Sequence, residues 1–445
     1  MRFLRRFFLW FGIATLALIA LFLLNVGVHR LLGPNAAQRE ALAALETARN
    51  APREGTNAFP LLWLMRHDVA DADIERIAAD DVREAEARVA DGRSLADLVP
   101  ADRPLLAVPG GTVFCEERVS GCLARVRAHL DVVRAQVEQH PRWIERMRMF
   151  EGKDHYRIEL PVKIETPLPN PGPAQRLRLG ALALDWVEGR HEAALAGVCD
   201  NIGAWRRLRQ GADSLVFSMM AVASMHGGID LFADMLAELP ADADVAPACA
   251  AAFAPIEADD VSMCAAFAAE LVFVKEAVQQ MSAPPGTGSI ERFFTSLGHS
   301  SRQPVAWMAE RHARHCGAAA ADHSLHDRRI PSMETSIPRL ACASALVDCS
   351  LATVANPAYA DYHARLLDNA ARLRLGATLL WLRETRDDPR PLAERFAVRP
   401  DRLRSGTRET GIGADGRSLW VTNLDTRRFG ERTTLALTPA AEPAQ

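Results

Sequence analysis

A short segment of the chain carries four histidines at spacings that suit metal ligation. Its candidate ligands are His312, His315, Cys316, His323, His326 and Asp327. Histidines three positions apart share one face of a helix, so each pair can present two imidazole nitrogens to a zinc or copper ion. The alternative is a solvated helix end and a polar loop, because arginines at 311, 314, 328 and 329 would oppose a divalent cation. Both interpretations stay open.

The chain contains eight cysteines, an even number. Cys115 and Cys122 are seven positions apart, which on one helix would separate them by about 10 Å along the axis, too far for a disulfide. If Ser120 caps the helix that follows, Cys115 lies in a loop and can fold back, and we therefore predict a Cys115–Cys122 disulfide. The remaining cysteines either pair in an oxidising compartment or serve as small buried apolar residues: Cys199, Cys249, Cys264, Cys316, Cys342 and Cys349.

One predicted helix carries a group of charged residues that could line a polar groove. The candidates are Asp200, Arg206 and Arg207. The alternative is a structural network of aspartates and arginines between packed helices. The sequence does not decide between these two interpretations.

Catalytic motifs are otherwise missing from the sequence, which has no nucleophile elbow, no zinc-protease histidine pair and no phosphate-binding lysine loop. Gly411, Gly413 and Gly416 match the Gly-x-Gly-x-x-Gly pattern. A dinucleotide site needs a strand before these glycines and a helix after them. Here polar residues precede and a predicted strand follows, so we interpret them as turn glycines and expect no bound cofactor.

The N-terminus predicts a membrane anchor. An uncharged run from Phe7 to Val28 is long enough, at about 33 Å, to cross the hydrocarbon layer as a helix. Arg2, Arg5 and Arg6 precede the run and favour a cytoplasmic N-terminus. A cleaved secretory signal is the alternative, but the run is longer than a typical signal core and no Ala-x-Ala site follows. We therefore expect a single-pass bacterial inner-membrane protein whose bulk is periplasmic.

Composition narrows the classes of partner. A net charge of −4 argues against general nucleic-acid binding, which needs a dense basic surface. Positive charge is nevertheless concentrated between residues 372 and 432, where 14 arginines face 9 acidic residues, a local balance of 14 − 9 = +5. Such a region could meet an anionic lipid, a cell-wall polymer or an acidic partner, or be a solvated surface of mixed charge.

The hydrophobic pattern predicts a mainly α-helical fold, with packed helical hairpins after the transmembrane helix and a small β-containing C-terminal segment. The helical pair around Gly189 resembles one tetratricopeptide-type unit over about 30 residues, without a second copy at that period. We expect a cytoplasmic stub (1–6), an anchor (7–28), an N-terminal helical region (29–159), a proline-rich linker (160–173), a main helical domain (174–388), a β appendage (389–437) and a disordered tail (438–445). The linker could instead lie clamped against the helical body.

Two classes of function follow from these features. The first is a non-enzymatic scaffold or assembly factor that binds another envelope protein, as the anchor and helical pairs suggest. The second is a periplasmic enzyme, possibly metal-dependent through the His312–Asp327 segment. The missing catalytic motifs favour the first.

Overall fold

The N-terminal helix α1 (Arg2–Leu32) is apolar and makes almost no contact with the body. The computed structural model describes residues 2–109, 115, 120–282, 302–331 and 346–439. Within these residues two helices are long and apolar enough to cross a membrane. The stretch Phe3–Asn25 of α1 is 0% buried, whereas α10 (Leu215–Glu238) is 72% buried and is the central helix of the core.

The fold is mainly α-helical, as predicted, with one small antiparallel sheet near the C-terminus. The helices before the proline-rich segment are α1, α2 (Ala36–Asn50), α3 (Phe59–Trp63), α4 (Ile74–Ala90), α5 (Cys122–Ala128), α6 (Leu130–Gln139) and α7 (Pro141–Glu151). Those after it are α8 (Gly172–Val187), α9 (His191–Arg209), α10, α11 (Pro247–Ala252), α12 (Cys264–Ser282), α13 (Arg302–His312), α14 (Gly317–Leu325), α15 (Leu346–Glu384), α16 (Leu392–Ala397) and α17 (Thr426–Phe429). Short 3-10 turns lie at Asp71–Asp73, Ala258–Val261, Ala313–His315 and Asp401–Leu403.

One hydrophobic core runs through the regions on both sides of the proline-rich linker and into the C-terminal sheet. It includes Phe59 before the linker, Trp205 after it and Leu435 in the last strand. Leu160, at the start of the linker, is itself buried in this core. The linker therefore lies against the helical body, which is the second of the two arrangements the sequence allowed.

The predicted hairpin around Gly189 is the antiparallel pair α8–α9. Gly189 has a φ of +88°, a conformation that residues with a side chain rarely adopt, and it ends α8 with a sharp turn. Gly197 allows close approach of the two helices, because a Cβ there would lie 2.5 Å from Leu182 Cδ2. A disulfide between Cys199 and Cys249 then joins α9 to α11.

A second, smaller core links the helix after the anchor to the body. Ala41 and Leu45 of α2 pack against α12 and α13, where Leu271 and Met308 contribute to the cluster. The disulfide Cys264–Cys316 joins the start of α12 to the turn after α13. The structure joins six cysteines in three disulfides and places Cys349 in α15, and none of the cysteines whose side chains it describes is free.

The hydrophobic pattern predicts two helices here, Pro338–Ala355 and Tyr359–Glu384, but α15 continues through Asn356-Pro357 without a break. The first part of that prediction, residues 338–345, and Cys342 lie outside the described residues. The helix persists because packing along its later turns outweighs the loss of one backbone donor at the proline.

The C-terminal sheet has the order β1 (Thr410–Ile412), β2 (Ser418–Thr422) and β3 (Arg432–Ala436), all antiparallel. Gly416, at φ +68°, turns the chain between β1 and β2. Gly411 lies opposite Trp420, and a Cβ on it would meet the tryptophan ring at 2.6 Å. Gly413 and Gly416 thus lie in the connection of a β-hairpin, as predicted, whereas Gly411 lies within strand β1 and packs against an aromatic ring.

Candidate functional site: an arginine-lined cleft

The structure does not bring the four predicted histidine ligands together. His312, at the end of α13, is 3% exposed and its ring lies 4.8 Å from that of Phe267, whereas the side chain of His326 is 65% exposed. Cys316 is already joined to Cys264. No group of three or more metal-binding side chains is arranged to hold an ion within the described ranges. The helix ends at His312 and a 3-10 turn follows, so the regular spacing on which the zinc or copper prediction rested is broken.

The first two histidines of this segment are shielded from water, since His312 is buried and His315 is half-buried. Burial lowers the pKa of His312 to about 4 and that of His315 to about 3. The His315 ring lies 5.0 Å from the ring of His363. His323 is placed on α14, where its Nδ1 has no hydrogen-bond partner in the part of the chain that the structure describes.

A serine–histidine contact that sequence reasoning missed lies beside this segment. Ser324 Oγ is 3.0 Å from His363 Nε2, and the two residues are 39 positions apart in the sequence. Such a contact is the core of a nucleophile–base pair. Both residues are only 2% exposed, and burial lowers the pKa of His363 to about 4. A substrate therefore has no access to the hydroxyl, and the contact joins α14 to α15.

The predicted polar groove on α9 is separated into two faces. Asp200 and Arg207 are exposed, and Arg207 donates to the backbone carbonyls of Glu151 and Lys153. Arg206 is buried and binds both carboxylate oxygens of Asp260. These contacts match the structural alternative, in which charged pairs hold neighbouring helices together.

A second buried ion cluster fastens the C-terminal sheet to α15. Arg408 binds Asp327 in a bidentate pair, with both N–O distances 2.6 Å, and also contacts the carboxylate of Asp368. All three side chains are 1% exposed. Burial opposes the charge on Arg408, but its hydrogen bonds and the two carboxylates raise its pKa. The residues are too far apart in the sequence for any motif to reveal the cluster.

Cys115 and Cys122 are joined by a disulfide with their Cα atoms 4.9 Å apart. Helix α5 begins at Cys122, and its N-cap is Gly121 at φ +76° rather than Ser120. Cys115 precedes the helix in a non-helical conformation. This is the loop geometry on which the prediction depended.

An open cleft of about 300 Å³ lies where the C-terminal ends of α10 and α15 meet α16 and β3. Its apolar surface comes from five leucines and three alanines: Leu236, Ala237, Ala241, Leu379, Leu382, Leu392, Ala436 and Leu437. Three arginines complete most of the remaining wall: Arg383, Arg386 and Arg395. No aspartate or glutamate belongs to the lining. The cleft falls within the part of the sequence that carries the local excess of positive charge.

The three arginines are held differently. Arg383 donates to the carbonyl of Ala243 at 2.8 Å, and Arg395 donates to that of Thr385 at 2.8 Å. The Nε–H groups of Arg383 and Arg395 are buried and have no acceptor among the described residues. Arg386 is exposed at the rim. Burial and then the charge of Arg386 lower the pKa of Arg383, and the charge of Asp242 opposes this shift.

A separate feature lies where the proline-rich linker crosses α12. Lys163 Nζ is 2.6 Å from Glu276 Oε2, which holds the linker against the helix. Ile164 follows the lysine and is 50% exposed, and Phe273, one turn before the glutamate, is 37% exposed. Ile164 lies in the linker and Phe273 lies on α12, the helix that packs against α2, and we call these two exposed apolar side chains the linker patch.

No protein-family model matches this chain, and no curated protein and no solved structure resembles it significantly.

Proposed function

We propose that this chain is a single-pass envelope protein that binds another envelope protein through its helical body. In this proposal α1 spans the bacterial inner membrane with its N-terminus in the cytoplasm, and the body lies in the periplasm. The apolar, exposed α1 supports an anchor, and Arg2, Arg5 and Arg6 at its N-terminal end support this direction. The three disulfides support an oxidising compartment.

A binding role is better supported than a catalytic one. The charged and serine–histidine clusters of the described body are closed to solvent and join secondary-structure elements. A general base must reach its substrate, and these groups do not. The open cleft carries apolar and basic side chains instead, which suit recognition rather than proton transfer.

The linker patch is the observation that carries the choice of a protein partner. Aromatic side chains are enriched at the centre of protein interfaces, whereas a charged pair such as Lys163–Glu276 belongs to the polar rim. The patch lies on the linker and on α12, which packs on the helix that directly follows the anchor, so a membrane-bound partner can reach it.

Photo-crosslinking in intact membranes tests this proposal. A photoreactive residue placed at Ile164 or Phe273 should give one discrete crosslinked product. The same residue at Val132, which is also 50% exposed but lies on α6, is the matched control and should give none. The Phe273→Glu substitution should abolish the product formed from position 164. Equal products from all three positions, or none from the patch, would contradict a protein-binding role there.

A further inference from the structure

The arginine-lined cleft points to a ligand that is different in kind from a protein partner. We propose that the cleft binds an amphipathic anion, namely a carboxylate or phosphate group carried on an alkyl chain. This goes beyond the proposed function, because it assigns a small ligand to a separate surface of the body.

The size and the floor of the cleft suit an alkyl chain. About 300 Å³ is at the lower end of the range for small-molecule sites. Leucines from α10, α15 and α16 and Leu437, which directly follows β3, converge on this space. Leu236, Leu379 and Leu382 are buried, whereas Leu392 and Leu437 are half-buried. An alkyl chain would cover the exposed part of these two side chains, which a small hydrophilic anion would leave in water. The apolar part of the ligand follows from this floor.

The charge of the cleft favours an anion. Three arginines and no carboxylate form its charged lining. Asp242 opposes the charge of Arg383 from outside the lining, and Asp388, which is paired with Arg390, also interacts with the charge of Arg395. The buried Nε–H groups of Arg383 and Arg395 are donors without acceptors in the described part of the chain. A planar guanidinium binds carboxylate and phosphate oxygens well, because its donors match their geometry.

The expected arrangement places each part of the ligand on a different wall. The alkyl chain lies along Leu379 and Leu392, and the headgroup lies toward Arg386 and the two Nε–H donors. Arg386 is exposed, so its guanidinium can close over the headgroup without breaking an existing buried contact. Ala241 lies at the open rim, where a larger side chain would narrow the entrance.

Photo-labelling of the full chain in phosphatidylcholine vesicles tests the proposal. Three probes carry the same photoreactive alkyl chain: a fatty acid, the corresponding neutral alcohol and a phosphatidylglycerol. The fatty acid or the phosphatidylglycerol should label peptides of α15, α16 or β3 at least about tenfold more than the alcohol, since the arginines select the anion. Labelling by only one of the two anionic probes identifies the headgroup and its source.

Three variants separate the cleft from general electrostatics. Arg386→Glu should reduce labelling about tenfold, because it replaces an attractive charge by a repulsive one. Ala241→Trp should reduce it by a similar factor with the charge unchanged. Arg427→Glu makes the same charge change at a side chain that is 86% exposed and outside the cleft, and it should leave labelling unchanged.

The proposal is overturned if the alcohol labels the cleft as well as the anions do, or if Arg386→Glu and Arg427→Glu reduce labelling equally. It is also overturned if neither anion labels the cleft, or if a photoreactive residue at Ala241 crosslinks instead to an acidic protein segment. Failure of these experiments leaves the crosslinks of the linker patch unaffected, so the two proposals can be judged separately.

Discussion

Removal of the Arg408 guanidinium is expected to be among the most destabilising single changes in the C-terminal part of the protein. Arg408→Met keeps the apolar stem but leaves Asp327 and Asp368 buried, each 1% exposed, without their cation. Loss of one partner of a buried ion pair costs about 3–5 kcal/mol, because the remaining charge has neither water nor a counterion. We expect the free energy of unfolding to fall by about that amount.

Urea unfolding of the full chain in a nonionic detergent measures this loss. Arg427→Met is the matched control, because its side chain is 86% exposed and its ion pair with Asp361 is 3.6 Å long. An exposed pair contributes about 0–1 kcal/mol, so the control should unfold almost as the parent does. Addition of Asp327→Asn to Arg408→Met should recover part of the stability, because asparagine tolerates the φ of +58° at that position and carries no charge. A loss below about 1 kcal/mol for Arg408→Met, or no recovery in the double variant, would refute this account of the cluster.

Three further outcomes are expected. The unfolded chain binds a proton at His312 near pH 6.5 and the folded chain only near pH 4, so stability falls as pH drops between these values. Between pH 7 and pH 5 this difference should lower the free energy of unfolding of the parent by about 2 kcal/mol, and His312→Phe should remove that loss in urea titrations. Parallel pH profiles of the variant and the parent would contradict this. Gly411→Ala should lower the free energy of unfolding by about 1–3 kcal/mol, because the new Cβ would overlap the tryptophan ring opposite. Gly180→Ala is the control, since no atom lies within 4 Å of its new Cβ, and it should be neutral or stabilising. Replacement of Cys199 and Cys249 by alanine should cost about 2–4 kcal/mol by the same measurement, and an unchanged midpoint would argue against that disulfide.

Elements whose ends carry local signals were predicted well from the sequence. The sequence predicts a helix over Ala36–Asn50, and α2 has these bounds; its start is fixed by Asn35 and Gln38, which form a reciprocal capping box. Strand composition likewise predicts a strand over Ser418–Thr422, and β2 has these bounds, with Leu419 and Val421 alternating with less buried neighbours. In both cases the information lies within a few neighbouring residues.

Features formed by distant residues could not be predicted. Strand β1 was missed, because its glycines lack strand composition and the pairing of Gly411 with Trp420 exists only in the sheet. The cleft was visible in the sequence only as a local excess of arginine, since its leucines come from separate parts of the chain. The histidine pattern predicted a site that the structure does not form. Three-residue spacing places two side chains on one helix face only where the helix continues, and α13 ends at His312.

The short connection between α1 and α2 has a mechanical consequence. Only residues 33–35 separate the two helices, and α2 is packed into the body through Leu45. Three extended residues span about 10 Å at most. If α1 lies in a bilayer, the body cannot drift away from the surface, and its encounters are confined to a thin layer beside the lipid headgroups. A partner or ligand in that layer meets the protein at an effective concentration far above its cellular average, so modest affinities can suffice for stable association.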